Sequence, residues 1–222
     1  MGKDIKELIK ERHSVRQFKD TAIEEDLRIQ LNNYVEECNN ESGLKIQVIY
    51  DDPDCFNTLL AHYGKFKNAV NYIALVGDKT IDNLDELCGY YGEKIVLKVQ
   101  ELGLNSCWVG GTYGKGKCKA DKEKGEKIVC VIAIGYGETE GVRHKSRSVR
   151  RLCNVEEKAM PIWFKNGMVA VMLAPTALNQ QKFFVTLEGD EVIITAQKGA
   201  FTKVDLGIVK YHFEAVTGKK CK

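Results

Sequence analysis

Three observations on this 222-residue chain predict an α+β fold, with a mixed or antiparallel sheet flanked by helices and two degenerate repeats. Helical and strand periodicities interleave along its length. Its most continuous apolar run, 127–135, has the Val/Ile composition of a strand covered on both faces. Two glycine-bracketed apolar segments, 92–103 and 207–218, echo each other in spacing.

In chain order, Ile5, Leu8 and Ile9 recur at helical spacing, as do Leu27, Leu31, Tyr34, Val35 and Cys38 over a longer stretch. Leu44, Ile46, Val48 and Tyr50 alternate as a half-buried strand requires, and 71–77 reads as a second, more fully apolar strand. The strongest helix places Leu84, Leu87, Cys88, Tyr91, Ile95, Val99 and Leu102 on one face and stops at Gly103, which suits the position after a helix end. Residues 127–135 then form a central strand. After a basic stretch, 143–151, comes an apolar helical segment around 168–173. Two strands follow, 182–187 and 191–196, joined at Gly189-Asp190, a hairpin dipeptide, and a last helix closes the chain.

The glycine-bracketed echo has a companion: Lys45 to Val48 follows one helix as Lys182 to Val185 follows another. Together they suggest two copies of a helix–strand–helix unit. Only three prolines and no low-complexity linker are present, so no boundary separates independent domains. The reading is one unit, 1–222, made of two intimately packed halves of about 1–140 and 141–222.

Charge narrows the partners. With 33 basic against 31 acidic residues the formal charge is +2, too small a field to make nucleic acid or an anionic membrane the main partner. The first ten residues alternate charged and apolar types, without the apolar run of a secretion signal, and no stretch is long enough to span a bilayer. Met1-Gly2 lacks the downstream Ser or Thr of an acylation signal. A cytoplasmic location is expected. The eight cysteines, Cys38, Cys55, Cys88, Cys107, Cys118, Cys130, Cys153 and Cys221, contain no C-x-x-C pair, and the four histidines have no ligand spacing, so no metal is expected.

Several segments have the residues for ligand chemistry. Arg12-His13-Ser14-Val15-Arg16 puts two guanidiniums and a hydroxyl at alternate positions, which an extended backbone points the same way. Such a set suits a phosphate through charge-assisted bonds, and equally suits a solvated turn after a helix. Ala174-Pro175-Thr176, followed by Asn179, Gln180 and Gln181, packs directional donors and acceptors that could read a planar heterocycle or merely stop a helix. Residues 102–111 leave the strongest helix and end at Gly110-Gly111, where backbone N–H groups can approach a ring, although a simple loop fits as well. Lys145 and Arg147 belong to a second basic concentration that could also be solvated surface. Residues 111–117 match G-x-x-x-x-G-K, but Cys118 stands where magnesium needs Ser or Thr, and a charged run follows, so nucleoside triphosphate binding is excluded.

Taken in order, these segments resemble the FMN-dependent nitroreductase family over most of the chain. Residues 12–18, Arg-His-Ser-Val-Arg-Gln-Phe, are similar to its R-x-S-x-R-x-F signature, and 102–111 to its G-L-G-S-x-W-I-G-G stretch. Lys145-Ser146-Arg147 looks like its second phosphate-side basic pair, and Ala174-Pro175-Thr176 with Asn179 and Gln181 is similar to A-P-S-x-x-N-x-Q. The order departs from the family's, because that last motif normally follows the first signature closely. Here 37–42 has lost it and the intact copy stands in the second half.

The resemblance therefore points to a fused branch in which one chain imitates the family homodimer, keeps one complete site and has little need to dimerise. It implies FMN as cofactor. Arg12, His13, Ser14, Arg16, Lys145 and Arg147 would lie toward the phosphate and ribityl chain; Val109, Gly110 and Gly111 toward flavin N5; and Pro175, Thr176, Asn179 and Gln181 toward the ring. No side chain is required as a catalytic acid, base or nucleophile. NADH or NADPH would be the reductant and a small electron-poor molecule, such as a nitroaromatic or quinone, the acceptor. A flavin-binding protein without significant turnover is the alternative.

Overall fold

The computed structural model describes residues 3–222. Met1 and Gly2, where an acylation signal would lie, are outside the described residues. The chain is α+β, with antiparallel sheets and helices, and divides into two compact units that are discontinuous in sequence. One comprises residues up to Glu11, Asp85–Lys94 and His144–Lys222; the other comprises Arg12–Leu84 and Ile95–Arg143.

In the second of these, α2 (Glu25–Ser42) precedes a four-stranded sheet in the order β1-β2-β4-β3, every neighbouring pair antiparallel. The strands are β1 (Gln47–Ile49), β2 (Asn71–Asp78), β3 (Asn105–Val109) and β4 (Glu126–Gly135). The Val/Ile run does occupy the centre: β4 pairs β2 from Asn71↔Ile134 to Asp78↔Glu126, and β3 from Asn105↔Gly135 to Val109↔Val131. Residues 131–134 are fully buried, as a strand covered on both faces requires.

The expected strand over 44–50 shortens to β1. The Asn39 side chain occupies both backbone groups of Ile46, accepting from its N–H at 2.7 Å and donating to its carbonyl at 2.9 Å. The Lys45 N–H still donates to the Val76 carbonyl at 2.9 Å, in register with β1, so the Ile46 groups point away from β2 and toward Asn39. A five-residue helix, α3 (Leu59–Tyr63), was not expected; Thr58 caps it by accepting from the Ala61 N–H at 3.2 Å.

The other unit holds α1 (Ile5–Glu11), α5 (Ile162–Val171), the hairpin β5 (Phe183–Glu188) and β6 (Glu191–Ala196), and α6 (Thr202–Thr217). The hairpin turns at Gly189-Asp190, with Gly189 at φ +61°. The strongest helix is α4 (Leu84–Glu101), whose residues 85–94 belong to this unit and whose later turns belong to the other.

Two glycines let α4 and α6 approach closely. A Cβ on Gly207 would overlap the Glu86 carbonyl oxygen, and one on Gly89 would overlap that of Val204. The contact is lined by Lys210 on Glu86 at 2.6 Å and by a wholly buried pair, His212 Nε2 and Glu93 Oε1, at 2.8 Å. His212 Nδ1 sits 2.9 Å from the Ala170 carbonyl, which can only accept, so that nitrogen carries a proton. Gly207→Ala should lower stability by about 2 kcal/mol or more, while Gly116→Ala, in open space, should stay within about 0.5 kcal/mol. Equal denaturation midpoints for the two variants would contradict the close helix contact.

Candidate functional site

The sequence-identified residues form two clusters, one in each unit. In the second unit, the chain after α1 runs extended and adds to the edge of β3: Ser14 bridges Ser106 in parallel sense, and the Val15 N–H donates to the Ser106 carbonyl at 2.9 Å. Alternation along this stretch sends Val15 into the core and leaves Arg12, Ser14 and Arg16 on the other side of the backbone. All three act on Cys107, the residue after the bridge partner. Burial pushes the Cys107 thiol up, opposed by the positive charges of Arg16 and Arg12 and by a hydrogen bond with Ser14.

The three differ in exposure. Arg12 is 4% exposed, Ser14 half-buried and Arg16 exposed, so the cluster grades from interior to solvent. His13 lies against Gly141, whose φ is +73° and whose missing Cβ would sit 2.8 Å from the His13 Cβ. The continuation to Phe18 is also fixed: the Phe18 N–H donates to the Lys67 carbonyl at 3.0 Å, and the Phe18 ring packs 3.1 Å from where a Cβ on Gly135 would stand.

At the far end of β3, Val109 is buried, Gly110 half-buried and Gly111 exposed. A side chain at Gly111 would meet nothing within 4 Å, so the backbone there is open to an incoming group. Residues 102–111, read as a strand-less stretch, thus contain β3. The pair of glycines follows its last residue.

In the other unit, the turn 174–181 is joined to 145–147 by a dense set of amide bonds. The Gln181 side chain donates through Nε2 to the Lys145 carbonyl at 2.8 Å and to Asn179 Oδ1 at 2.8 Å, and its Oε1 accepts from the Arg147 N–H at 2.7 Å. Asn179 Nδ2 donates to the same Lys145 carbonyl at 3.0 Å, and the Gln181 N–H to Thr176 Oγ1 at 3.0 Å. Ser146 Oγ donates to the Met172 carbonyl at 2.7 Å. Pro175 is buried beneath this network, whereas Asn179 and the Lys145 and Arg147 side chains are exposed. Gln181 is buried and spends its polar atoms internally, which makes it a brace for the turn.

The turn needs unusual backbone angles. Leu178, Asn179 and Gln181 all have positive φ, 53°, 51° and 45°. Asp205, in the first turn of α6, holds the strained segment by accepting from the Ala177 N–H at 2.9 Å and from Gln180 Nε2 at 2.9 Å. The sequence reading passed over Asp205 and Cys107. An acidic residue in the first turn of the last helix was the available signal for Asp205; nothing in the composition of 102–111 marked Cys107.

The sequence matches, over residues 4–217, the family model described as "Putative TM nitroreductase". The chain belongs to this nitroreductase family. None of the curated proteins matches it. Among solved structures, a putative nitroreductase from Thermotoga maritima is similar with TM-score 0.70 and 22% identity, over 97% of this chain and 84% of its own. A putative nitroreductase from Desulfovibrio desulfuricans, solved in complex with FMN, matches with TM-score 0.55 and 18% identity over 70% of this chain and 98% of its own. A Bacteroides thetaiotaomicron protein described as a putative NADH dehydrogenase/NAD(P)H nitroreductase gives 0.54 and 17% over 68% and 97%. At these identities the likeness is one of fold. The α+β nitroreductase fold read from the sequence is therefore present, and no described helix is long and apolar enough to cross a membrane.

Asp205 gives this nitroreductase a pH signature. Burial raises its carboxyl from 3.8 to about 6, against the opposing pull of the Ala177 N–H and the Gln180 amide. Between those values the folded chain holds a proton that the unfolded chain has released. The stabilisation is complete below about pH 4 and is lost as pH rises through about 6, on the order of 2 kcal/mol. Denaturation midpoints measured across this window should fall more steeply with pH in the wild type than in Asp205→Asn; parallel curves would remove Asp205 as the cause.

Proposed function

We propose that the chain is an FMN-dependent oxidoreductase, taking electrons from NADH or NADPH and passing them to a small electron-poor acceptor such as a nitroaromatic or quinone. The observation that carries this reading is the placement of the Arg12-x-Ser14-x-Arg16 segment along the β3 edge, through the Ser14–Ser106 bridge, in a chain of the nitroreductase family. The FMN complex of the Desulfovibrio desulfuricans relative adds to it.

The donor set fits the cofactor. Two guanidiniums and a hydroxyl offer planar, charge-assisted bonds to a phosphate, with Arg12 already withdrawn from water, where such bonds strengthen. His13, Lys145 and Arg147 are assigned to the same phosphate and ribityl side. The open backbone at Gly111, following buried Val109 and half-buried Gly110, leaves room for flavin N5 to meet an N–H. Pro175, Thr176 and Asn179 are assigned to the ring. Gln181 serves there by bracing Asn179 and the Lys145–Arg147 backbone.

When bound, FMN supplies two-electron chemistry at N5 that no side chain of this protein can. The chain's residues position and polarise: the guanidiniums neutralise phosphate charge, N–H groups near Gly110 orient the ring, and positive charge favours the reduced, anionic form. No side chain need exchange a proton with the substrate, in keeping with the absence of a proposed catalytic residue. Because the A-P-T-x-x-N-x-Q turn survives once, one FMN per chain and a monomer imitating the family dimer complete the proposal, with the halves near 1–140 and 141–222 as its repeats.

Purified protein is expected to be yellow and to release FMN on denaturation, and NADH or NADPH should bleach it until a quinone or nitroaromatic restores the colour. Colour without bleaching would favour a flavin-binding protein lacking turnover. A colourless protein that takes up no added FMN would sink both. Arg16→Ala, at an exposed position, should weaken FMN retention by about tenfold or more while leaving the denaturation midpoint near that of the wild type; stoichiometric FMN retained through extensive dialysis would contradict the assignment.

A further inference from the structure

The second unit contains a thiol pair that the flavin reading does not use. Cys55 is wholly buried in an apolar cluster and half-buried Cys118 packs against the same cluster, the two thiols within hydrogen-bonding reach of each other. The backbone stitches the two segments together as well: the Gly114 N–H donates to the Cys55 carbonyl at 2.8 Å, and the Cys118 N–H to the Gly114 carbonyl at 3.0 Å.

A polar chain borders the pair inside an otherwise apolar core. Tyr72 donates to Asp52 Oδ2 at 2.6 Å and accepts from the Lys119 N–H at 2.9 Å, and Lys119 Nζ reaches Asp52 Oδ1 at 3.0 Å. Tyr72 is also within hydrogen-bonding reach of Cys118. Nearby Tyr113 is 1% exposed, and its hydroxyl makes no hydrogen bond among the described residues. It lies within electrostatic reach of both Cys118 and Cys55.

We propose that Cys55 and Cys118 are a redox-active dithiol that hydroperoxides oxidise to an intramolecular disulfide, with Cys118 the attacking thiol and Cys55 the resolving one. The exposure pattern assigns the roles, since only Cys118 of the two is open to a solvent-borne oxidant. The hydrogen bond from Cys55 brings the Cys118 thiol down to about 6, helped by the Ala120 N–H and Tyr72 against the cost of burial. The same bond and burial push Cys55 up, which keeps it protonated. Cys107, Cys153 and Cys221 are all shifted upward by burial.

The chemistry balances in two steps. The Cys118 thiolate attacks one peroxide oxygen, the O–O bond breaks, and the leaving hydroxide takes a proton from solvent to give water and a sulfenic acid on Cys118. Cys55 sulfur then attacks Cys118 sulfur, the S–O bond breaks, and the Cys55 proton leaves with the hydroxide as a second water. The sulfurs lose two electrons and the peroxide gains two. Tyr113 supplies the donor that a sulfenic oxygen would need, which accounts for a buried hydroxyl with no acceptor in the reduced form. Closing the pair to a bond of about 2.05 Å draws in the loop 114–118, already anchored on Cys55.

The test needs neither flavin nor nicotinamide, so it stands apart from the flavin reading. Fully reduced, full-length protein is treated with one equivalent of hydrogen peroxide at about pH 7, its free thiols are alkylated, and its peptides are mapped by mass. The expected product is a Cys55–Cys118 linked peptide, absent from Cys118→Ser. In Cys55→Ser, dimedone should trap a sulfenic acid at Cys118. Iodoacetamide alkylation of the wild type, followed against pH, keeps the proposal testable if either variant fails to fold: Cys118 should react at least tenfold faster than half-buried Cys221 at neutral pH. Equal alkylation rates, a link between other cysteines, or peroxide that leaves both thiols free or carries Cys118 to the sulfinic acid without a link would each overturn it.

Discussion

The pairing of β3 with β4 is the constraint on which the chemistry of the Arg12–Leu84, Ile95–Arg143 unit depends. Because residues 131–134 of β4 are fully buried, their backbone groups must find partners, and β2 and β3 supply them. Pairing fixes the register of β3, and its outer edge then fixes the segment 12–18 through Ser14 and Ser106. A one-residue slip there would turn Val15 to solvent and bury Ser14, reversing every side chain of the cluster. The same strand delivers Gly110 and Gly111 at its end and, a few residues on, the loop carrying Tyr113 and Cys118. Phosphate-type donors, an open backbone and a thiol pair all take their positions from one five-residue strand.

The other cluster is organised differently, by side-chain amides and not by a ladder. Three residues in the left-handed region cost on the order of 1 kcal/mol each, and a turn of this kind persists only where its surroundings over-determine it. Gln181 makes three bonds through one side chain, and Asp205 takes two more from Ala177 and Gln180. Net contributions of about 1 kcal/mol per bond are enough to offset the strain. Asp205 pulls in both directions, since its ionised form accepts these bonds well while its burial favours the proton. The balance falls on the side of burial, which is why the carboxyl is raised despite two donors.

Much of this was legible in the sequence where a single force dominates. Long apolar periodicity located α4 to within a residue at its C-terminal end, continuous Val/Ile composition located β4, and Gly189-Asp190 located the hairpin. The Arg12-x-Ser14-x-Arg16 segment was read as extended, and Ser14 does form a parallel bridge to Ser106. What escaped were elements set by partners distant in sequence. β3 carries Asn105 and Ser106, too polar and short for a strand pattern, and exists because β4 has an edge to fill. α3 rests on one threonine cap. The brace formed by Gln181 was invisible for the same reason, since its partners at 145–147 lie more than 30 residues upstream.

The cysteines show why neighbouring charge alone does not predict reactivity. Cys107 has two guanidiniums and a hydroxyl beside it, the surroundings that ordinarily favour a thiolate, yet its thiol is shifted upward because the desolvation of a nearly sealed site outweighs them. Cys118 has no arginine among the groups acting on it. It is half-buried, so burial opposes ionisation less, and a hydrogen bond with Cys55 stabilises the negative sulfur. Short-range hydrogen bonding thus decides the matter where longer-range charge does not.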